Sequence, residues 1–94
     1  YADEHLEADG SKLYRLHGTL FFASTTPFLS QFDPTNDPTH VTLDCRHLRF
    51  VDYSAITALK TLRERYSKAG KQLRVFHLSE RCKQMLKRAG VHHD

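Results

Sequence analysis

The 94-residue sequence has few of the residues that mark the simplest functional classes. It contains two cysteines, four glycines, three prolines and no tryptophan. Cys45 and Cys82 are far apart and fit no metal-binding or redox spacing, which favours two free thiols in a reducing compartment over one disulfide. There is no long uncharged apolar run, so neither a transmembrane helix nor a signal peptide is predicted within these residues.

The candidate catalytic residues also lack the spacing of a known type of active site. Turns and helix ends account for each glycine, so no phosphate-binding loop is predicted, and no two of the seven histidines have helical metal-binding spacing. Ser54 has His40 and His47 nearby in the sequence, but nothing joins an imidazole to its hydroxyl. Asp44 and Asp52 would make a paired-carboxylate or Mg²⁺ site only if both lay at strand ends, and a surface acid plus a helix cap is favoured. We predict a protein that is not an enzyme and that binds no metal ion.

Charge is distributed unevenly along the chain. Residues 1–52 contain eight acidic and four Lys or Arg residues, whereas residues 60–90 contain ten Lys or Arg and only two acids. This asymmetry indicates an acidic partner or an anionic membrane surface, the alternative being a solvated lysine-rich helix surface. No nucleic-acid partner is expected, because the phenylalanines are better explained as core than as a base-stacking platform. The basic docking surface is predicted at Lys60, Arg63, Lys68, Lys83 and Lys87.

The first third of the chain predicts a hairpin and a short helix. Asp-Gly at positions 9 and 10 separates runs 4–8 and 12–17, which is typical of a β-hairpin. Gly18 predicts a bend before a second short strand at 20–22. Thr26-Pro27 predicts a helix with proline at its first position and with Phe28, Leu29 and Phe32 on one face. Asp33-Pro34 ends that helix, and residues 33–39 predict an exposed, mobile loop.

Residues 41–66 contain the transition that organises the chain. Val41 and Leu43 predict a buried strand, followed by a short charged connection and a second apolar contact at Phe50-Val51. A helix then begins, ends at Gly70, and carries an apolar stripe. The stripe is predicted to comprise Ala55, Ala58, Leu59, Leu62, Tyr66 and Ala69.

The turn into this helix is Asp52-Tyr53-Ser54-Ala55. The simplest interpretation is that Asp52 and Ser54 cap the helix, because Asp and Ser satisfy free amides at a helix start. The functional interpretation is that the four residues contact an anion or a partner, because the helix dipole favours negative charge there.

The last third predicts a strand at 72–77 and a final helix that Ser79 opens and Gly90 closes. Its buried stripe is predicted to comprise Cys82, Met85, Leu86 and Ala89, with Val91 packing back on Leu86 and residues 91–94 beginning another strand. Alternating strands and helices predict one α/β domain over residues 1–94. It would be a mixed, largely parallel sheet of about four to five strands with helices packed on it and an antiparallel edge. The turn at 52–55 would lie at the carboxyl ends of the parallel strands, where ligands usually bind.

Two stretches resemble the STAS domain family. Residues 16–23, LHGTLFFA, resemble the segment before the first helix in STAS domains of SulP (sulfate permease) anion transporters. Residues 41–55 resemble the strand and the Asp-Ser-Ser-Gly turn of the same superfamily, and Lys87-Arg88-Ala89-Gly90 resembles its terminal helix end. The resemblance extends from about Leu13 to Ala89 and implies a STAS-like fold, the fold of anti-sigma factor antagonists.

The resemblance implies two alternative functions. The first is a cytoplasmic regulatory domain from the C-terminal part of a SulP anion transporter, at the cytoplasmic side of a bacterial inner membrane. The Gly18 to Phe22 stretch favours it, as does a start at Tyr1 instead of Met. The second is a free-standing anti-sigma factor antagonist switched by phosphorylation of Ser54.

The family motif maps onto the turn with two departures. Asp52 matches the Asp and Ser54 the phosphoacceptor Ser, whereas Tyr53 replaces the first Ser and Ala55 replaces the Gly, adding bulk and removing backbone freedom. The resemblance implies as partners the membrane-spanning part of the transporter, acyl carrier protein or another acidic cytosolic protein, and a second copy of the chain. No cofactor is predicted from the residues, and guanine nucleotide is a ligand that only the resemblance implies.

Overall fold

The structure is a computed structural model that describes residues 1–90. Strands and helices follow one another in the predicted order, and none of the helices in this range is long and apolar enough to cross a membrane. The strand predicted at 91–94 and the packing of Val91 lie outside the described residues. The elements are β1 (Ala2–Leu6), β2 (Lys12–Leu20), a 3₁₀ turn (Phe22–Ser24), α1 (Thr25–Ser30), β3 (His40–Phe50), α2 (Tyr53–Lys68), β4 (Gln72–Phe76) and α3 (Glu80–Arg88).

The four strands form one sheet in the order β1-β2-β3-β4. β1 and β2 pair antiparallel through the predicted hairpin, whereas β2 with β3 and β3 with β4 pair parallel. The prediction of a mixed, largely parallel sheet with an antiparallel edge is therefore confirmed. Because β2, β3 and β4 run in the same direction, they define an amino end and a carboxyl end of the sheet.

A β-bulge explains why β3 is longer than predicted. Arg15 pairs with Asp44 but His17 pairs with His47, so two residues of β3, Cys45 and Arg46, lie opposite one residue of β2. The extra residue shifts the alternation of side chains by one position. The charged segment predicted as a connection therefore belongs to the strand.

The strand predicted separately at 20–22 is also wrong. β2 continues through Gly18, which has a φ of +111° that glycine adopts without steric cost, and it ends at Leu20. Leu20 is buried, but Phe22 begins the 3₁₀ turn and is 72% exposed. Phe28 and Phe32 are buried as predicted. Helix α1 begins at Thr25, which makes Pro27 its third residue and not its first.

The core lies between the sheet and the apolar stripe of α2. The predicted α2 stripe is buried except for Ala69, which follows the last helical residue and is exposed. Of the apolar contact predicted at Phe50-Val51, Phe50 is buried as predicted, but Val51 is 53% exposed. Strands β2, β3 and β4 contribute alternate residues to this core, among them Tyr14, Leu16, Val41, Leu43, Leu73 and Val75, whereas no residue of β1 is buried.

Helix α3 contributes two of its four predicted residues to the core. Cys82 and Leu86 are buried, Met85 is half-buried and Ala89 is exposed. Ser79 caps the helix by accepting from the Cys82 N–H, as predicted. Cys45 and Cys82 are free buried thiols, and burial raises the pKa of Cys45 to about 12.

The loop between α1 and β3 contains the only buried carboxylate in the described residues. Asp37 is 5% exposed, its Oδ2 accepts hydrogen bonds from the hydroxyls of Tyr14 (2.6 Å) and Tyr66 (2.5 Å), and its Oδ1 accepts from Lys12 Nζ at 2.8 Å. Lys71 Nζ donates to main-chain carbonyls of the same loop, including that of Asp37. The prediction that this loop is wholly exposed is wrong at Asp37, because non-local partners neutralise and bury its charge.

The contacts of Asp37 determine the protonation states in this network. Burial acts to raise the pKa of Asp37, but the hydrogen bonds from Lys12, Tyr14 and Tyr66 outweigh burial and lower it. Burial, together with the hydrogen bond to Asp37, raises the pKa of both tyrosines. The folded protein thus favours an ionised Asp37 beside two neutral tyrosines.

Candidate functional site

The Asp52 carboxylate hydrogen-bonds to two of the chain segments that leave the sheet at its carboxyl end. Its Oδ1 accepts from the Ser54 N–H at 2.9 Å, which caps α2, and its Oδ2 accepts from the Phe22 N–H at 3.2 Å. The Val51 N–H donates to the Leu20 carbonyl nearby. One carboxylate therefore holds the start of α2 against the segment that leads into α1.

The other residues of the predicted turn divide between core and surface. Ser54 is the second residue of α2 and is half-buried, and within residues 1–90 its Oγ has no hydrogen-bond partner. The cap is thus Asp52 alone, and the interpretation in which Ser54 also caps the helix is wrong. Ala55 is fully buried, whereas Tyr53 is 61% exposed. Tyr53 is exposed, and Asp52 and Ser54 are half-buried. Contact of these residues with an anion or a partner, and the role of Ser54 as phosphoacceptor, stay predictions.

Three large apolar side chains are exposed around this turn. Phe22 is 72% exposed, Val51 53% and Tyr53 61%, and we call these three residues the carboxyl-end patch. The exposure of Phe22 and Val51 is not predicted from the sequence, because both residues are apolar and packing is expected of them. Beside the patch, a shallow groove of about 360 Å³ runs between α1 and α2, lined by Thr25, Leu29, Ser54, Thr57 and Thr61 among others.

The structure divides the predicted basic surface into separate parts. Lys60 and Lys68 are exposed on α2, while Lys83 and Lys87 lie on α3, which contacts α2. Arg63 is half-buried and lies instead along a polar groove of about 350 Å³ that Lys71 and Arg74 also line. The basic residues are therefore spread over two helices and a groove, and their binding role stays a prediction.

The acidic and histidine side chains of the described residues are dispersed. Within residues 1–90, no three His, Cys, Asp or Glu side chains lie together in a way that would hold a metal ion. Asp44 lies inside β3, where its carboxylate accepts from the Arg46 N–H, whereas Asp52 lies eight positions further on, beyond the end of that strand. The alternative of an Asp44–Asp52 pair is therefore wrong.

Comparison with known proteins identifies one family, and the similar proteins in it have more than one role. A family model described as the STAS domain matches residues 4–94. A comparison with functionally characterised protein sequences gave no match. The crystal structure of an antisigma-factor antagonist STAS domain from Rhodobacter sphaeroides is similar with a TM-score of 0.76 and 27% identity, over 85% of this chain and 91% of that one.

Two anion-transporter structures are similar as well. The STAS domain of a SulP transporter from Vibrio cholerae has a TM-score of 0.64 and 25% identity, over 83% of this chain and 62% of that one. The murine anion transporter Slc26a9 has a TM-score of 0.75 and 24% identity, over 86% of this chain but only 14% of the transporter. The same fold therefore occurs in transporter domains and in an antisigma-factor antagonist.

Proposed function

The chain belongs to the STAS domain family, and we propose that it is a cytoplasmic regulatory domain of a SulP-type anion transporter that binds its partner through the carboxyl-end patch. The observation that carries the proposal is that, of the six exposed large apolar side chains in the described residues, three lie at this end of the domain: Phe22, Val51 and Tyr53. The resemblance of residues 16–23 to transporter STAS domains and the similarity to the Vibrio cholerae domain support the transporter role.

Exposed apolar groups at one place favour association. Removing apolar surface from water is favourable by about 25 cal/mol per Å², from which the entropic costs of association are subtracted. Contiguous exposed apolar residues in soluble proteins mark interaction sites, and aromatic side chains are enriched at interface centres. Two such rings are supplied by Phe22, whose backbone amide donates to Asp52, and by Tyr53, the residue after Asp52.

The patch is also held in place before a partner arrives. Asp52 bonds both the Phe22 and the Ser54 backbone amides, and the Val51 amide is bonded to Leu20. A partner that binds here therefore loses little of its binding free energy to ordering these connections. The exposed lysines of α2 and α3 would suit the anionic cytoplasmic leaflet or an acidic protein beside the transporter.

A second candidate, an anti-sigma factor antagonist switched at Ser54, has its own supporting observation. The Ser54 Oγ is at the start of a 16-residue helix, where the macrodipole would stabilise an added phosphate. The Rhodobacter sphaeroides relative supports this alternative.

Site-specific photocrosslinking tests both candidates. A photoreactive residue replaces Tyr53 in the full-length gene product, in its native host, and Leu6 is the control because it is 76% exposed on edge strand β1. We expect a crosslink from position 53, and none from position 6, to the membrane-spanning part of the same polypeptide. A crosslink to a kinase-like anti-sigma factor, together with phosphate on Ser54 by mass spectrometry, would establish the second candidate instead. The same yield from both positions would overturn both.

A further inference from the structure

A ladder of parallel rings crosses the sheet on the face directed away from α2. Tyr1 stacks on His17 with centroids 4.6 Å apart, and His17 stacks on His47 at 5.4 Å, with interplanar angles of 11° and 6°. These separations are close to the spacing of neighbouring strands, about 4.8 Å. His17 alternates with buried Leu16, and the bulge in β3 brings His47 opposite it on the same face.

The ladder stops at His47 because β4 is too short to extend it. Pairing between β3 and β4 ends at Asp44 and Phe76, so within residues 1–90 no residue of β4 lies opposite His47. The next residue, His77, has a φ of +63°, a conformation uncommon for a residue with a side chain. Its Nε2 lies 3.3 Å from Arg46 Nη2, so His77 positions the Arg46 guanidinium beside the missing rung.

The space left there is a cleft of about 540 Å³. Besides His17, His47 and His77, its lining includes Arg15, Arg46 and Phe76. Its two carboxylates already have neighbours: Asp3 is 3.3 Å from His17 Nε2, and Asp44 accepts from the Arg46 N–H. The cleft thus offers an exposed ring face next to guanidinium groups.

We propose that this cleft binds a small planar aromatic carboxylate. Its ring stacks on His47 as the fourth rung of the ladder, and its carboxylate accepts hydrogen bonds from the Arg46 guanidinium. Offset stacking is the favoured arrangement of parallel rings, and the planar fork of arginine matches a carboxylate. The volume is within the range of small-molecule sites. This site is on a different surface from the carboxyl-end patch and does not depend on the function proposed for that patch.

Nuclear magnetic resonance titration of the labelled protein with benzoate tests the proposal. The expected result is a saturable shift of the His47 ring protons, with a dissociation constant of about 1 mM for so small a ligand. Cyclohexanecarboxylate, which carries the same charge on a ring that is not planar, should bind at least about 5-fold more weakly, since stacking is lost.

Two histidine variants complete the experiment. His47→Ala should weaken benzoate binding about 5-fold or more. His40→Ala is the matched control, because His40 is an exposed histidine on the same strand about 20 Å away, and it should bind as wild type does. Equal binding of the two carboxylates, no saturation by 20 mM benzoate (about 20 times the expected constant), or unchanged affinity in His47→Ala would each overturn the proposal.

Discussion

The two ends of the parallel strands use acidic residues in opposite ways. At the amino end, Asp37 is buried and accepts hydrogen bonds from Lys12, Tyr14 and Tyr66. At the carboxyl end, Asp52 is half-buried, and its partners within residues 1–90 are two backbone amides. The first acid holds a long loop to the core, and the second caps a helix.

The surroundings of Asp37 and Asp52 also differ in what they expose to solvent. At the amino end the charge of Asp37 is buried beside two tyrosines, whereas at the carboxyl end Phe22, Val51 and Tyr53 are exposed to solvent. The contacts of Asp37 make the amino end a structural end of the domain, and under the proposed function the carboxyl end is its binding end. Substitutions at the first should change stability, and substitutions at the second should change binding.

The largest effect is expected from Asp37→Asn. It removes the charge that Lys12 pairs with and misdirects a donor toward two tyrosine hydroxyls, so it should lower the free energy of unfolding by about 3–5 kcal/mol. Urea unfolding followed by circular dichroism measures this. Asp33→Asn is the matched control in the same loop, because Asp33 is exposed, and it should cost under about 1 kcal/mol. Similar losses in the two variants would remove the distinction between the ends.

A substitution in the apolar core gives a loss of stability with which the loss in Asp37→Asn can be compared. Leu59 is fully buried in α2, the helix that begins at the carboxyl end and brings Tyr66 to Asp37. Leu59→Ala should cost about 2–5 kcal/mol, and Lys60→Ala, its exposed neighbour, within about 0.5 kcal/mol. Unchanged thermal stability in Leu59→Ala would show that the assigned phase of α2 is wrong.

The pH dependence of stability sharpens the assignment of Asp37. Because the pKa of Asp37 is lower in the folded than in the unfolded chain, the folded state binds fewer protons as pH falls. The stability from this carboxylate is complete above its unfolded pKa of about 3.9 and is lost as pH falls through the lowered value. The difference in unfolding free energy between wild type and Asp37→Asn should therefore shrink from pH 7 to pH 3. A difference that stays constant would show that the charge of Asp37 does not stabilise the fold.

Local patterns in the sequence were sufficient for most elements. The stripe of α2 repeats at helical spacing and Asp-Gly marks the hairpin, and both signals depend only on neighbours in the chain. The order of strands and helices then implied a mostly parallel sheet, which the structure confirms.

The predictions that were wrong depend on parts of the chain that are distant in sequence. Asp37 lies in a segment rich in Pro, Asp and Asn, which predicts exposure, and its partners at 12, 14 and 66 are 23 to 29 residues away. The bulge at Cys45 and Arg46 breaks the alternation on which strand prediction depends, so the sequence predicts a connection where the charged half of β3 lies. Phe22 and Val51 are apolar, and no local pattern separates an apolar residue of the core from one that serves an interface.

A smaller effect on stability is expected at the carboxyl end itself. Asp52→Ala removes the cap of α2 and should cost about 0.5–2 kcal/mol. Ser54→Ala should stay within about 0.5 kcal/mol, because the Ser54 hydroxyl caps nothing in the described structure. Chemical unfolding of both variants measures the difference. A larger loss in Ser54→Ala than in Asp52→Ala would contradict the assignment of the cap.

The smallest effect on stability, and the largest on binding, is expected from Phe22→Ala. Phe22 is 72% exposed, so its removal should change the free energy of unfolding by no more than about 0.5 kcal/mol. If the carboxyl-end patch is the interface, the variant should lose the position 53 crosslink to the membrane-spanning part while it unfolds at the wild-type denaturant concentration. Leu6→Ala, which is also exposed, should keep the crosslink. A Phe22→Ala protein that is destabilised but still crosslinks would show that Phe22 has a structural role, like the residues of the amino end. The contrast between the two ends would then not hold for Phe22, the most exposed residue of the carboxyl-end patch.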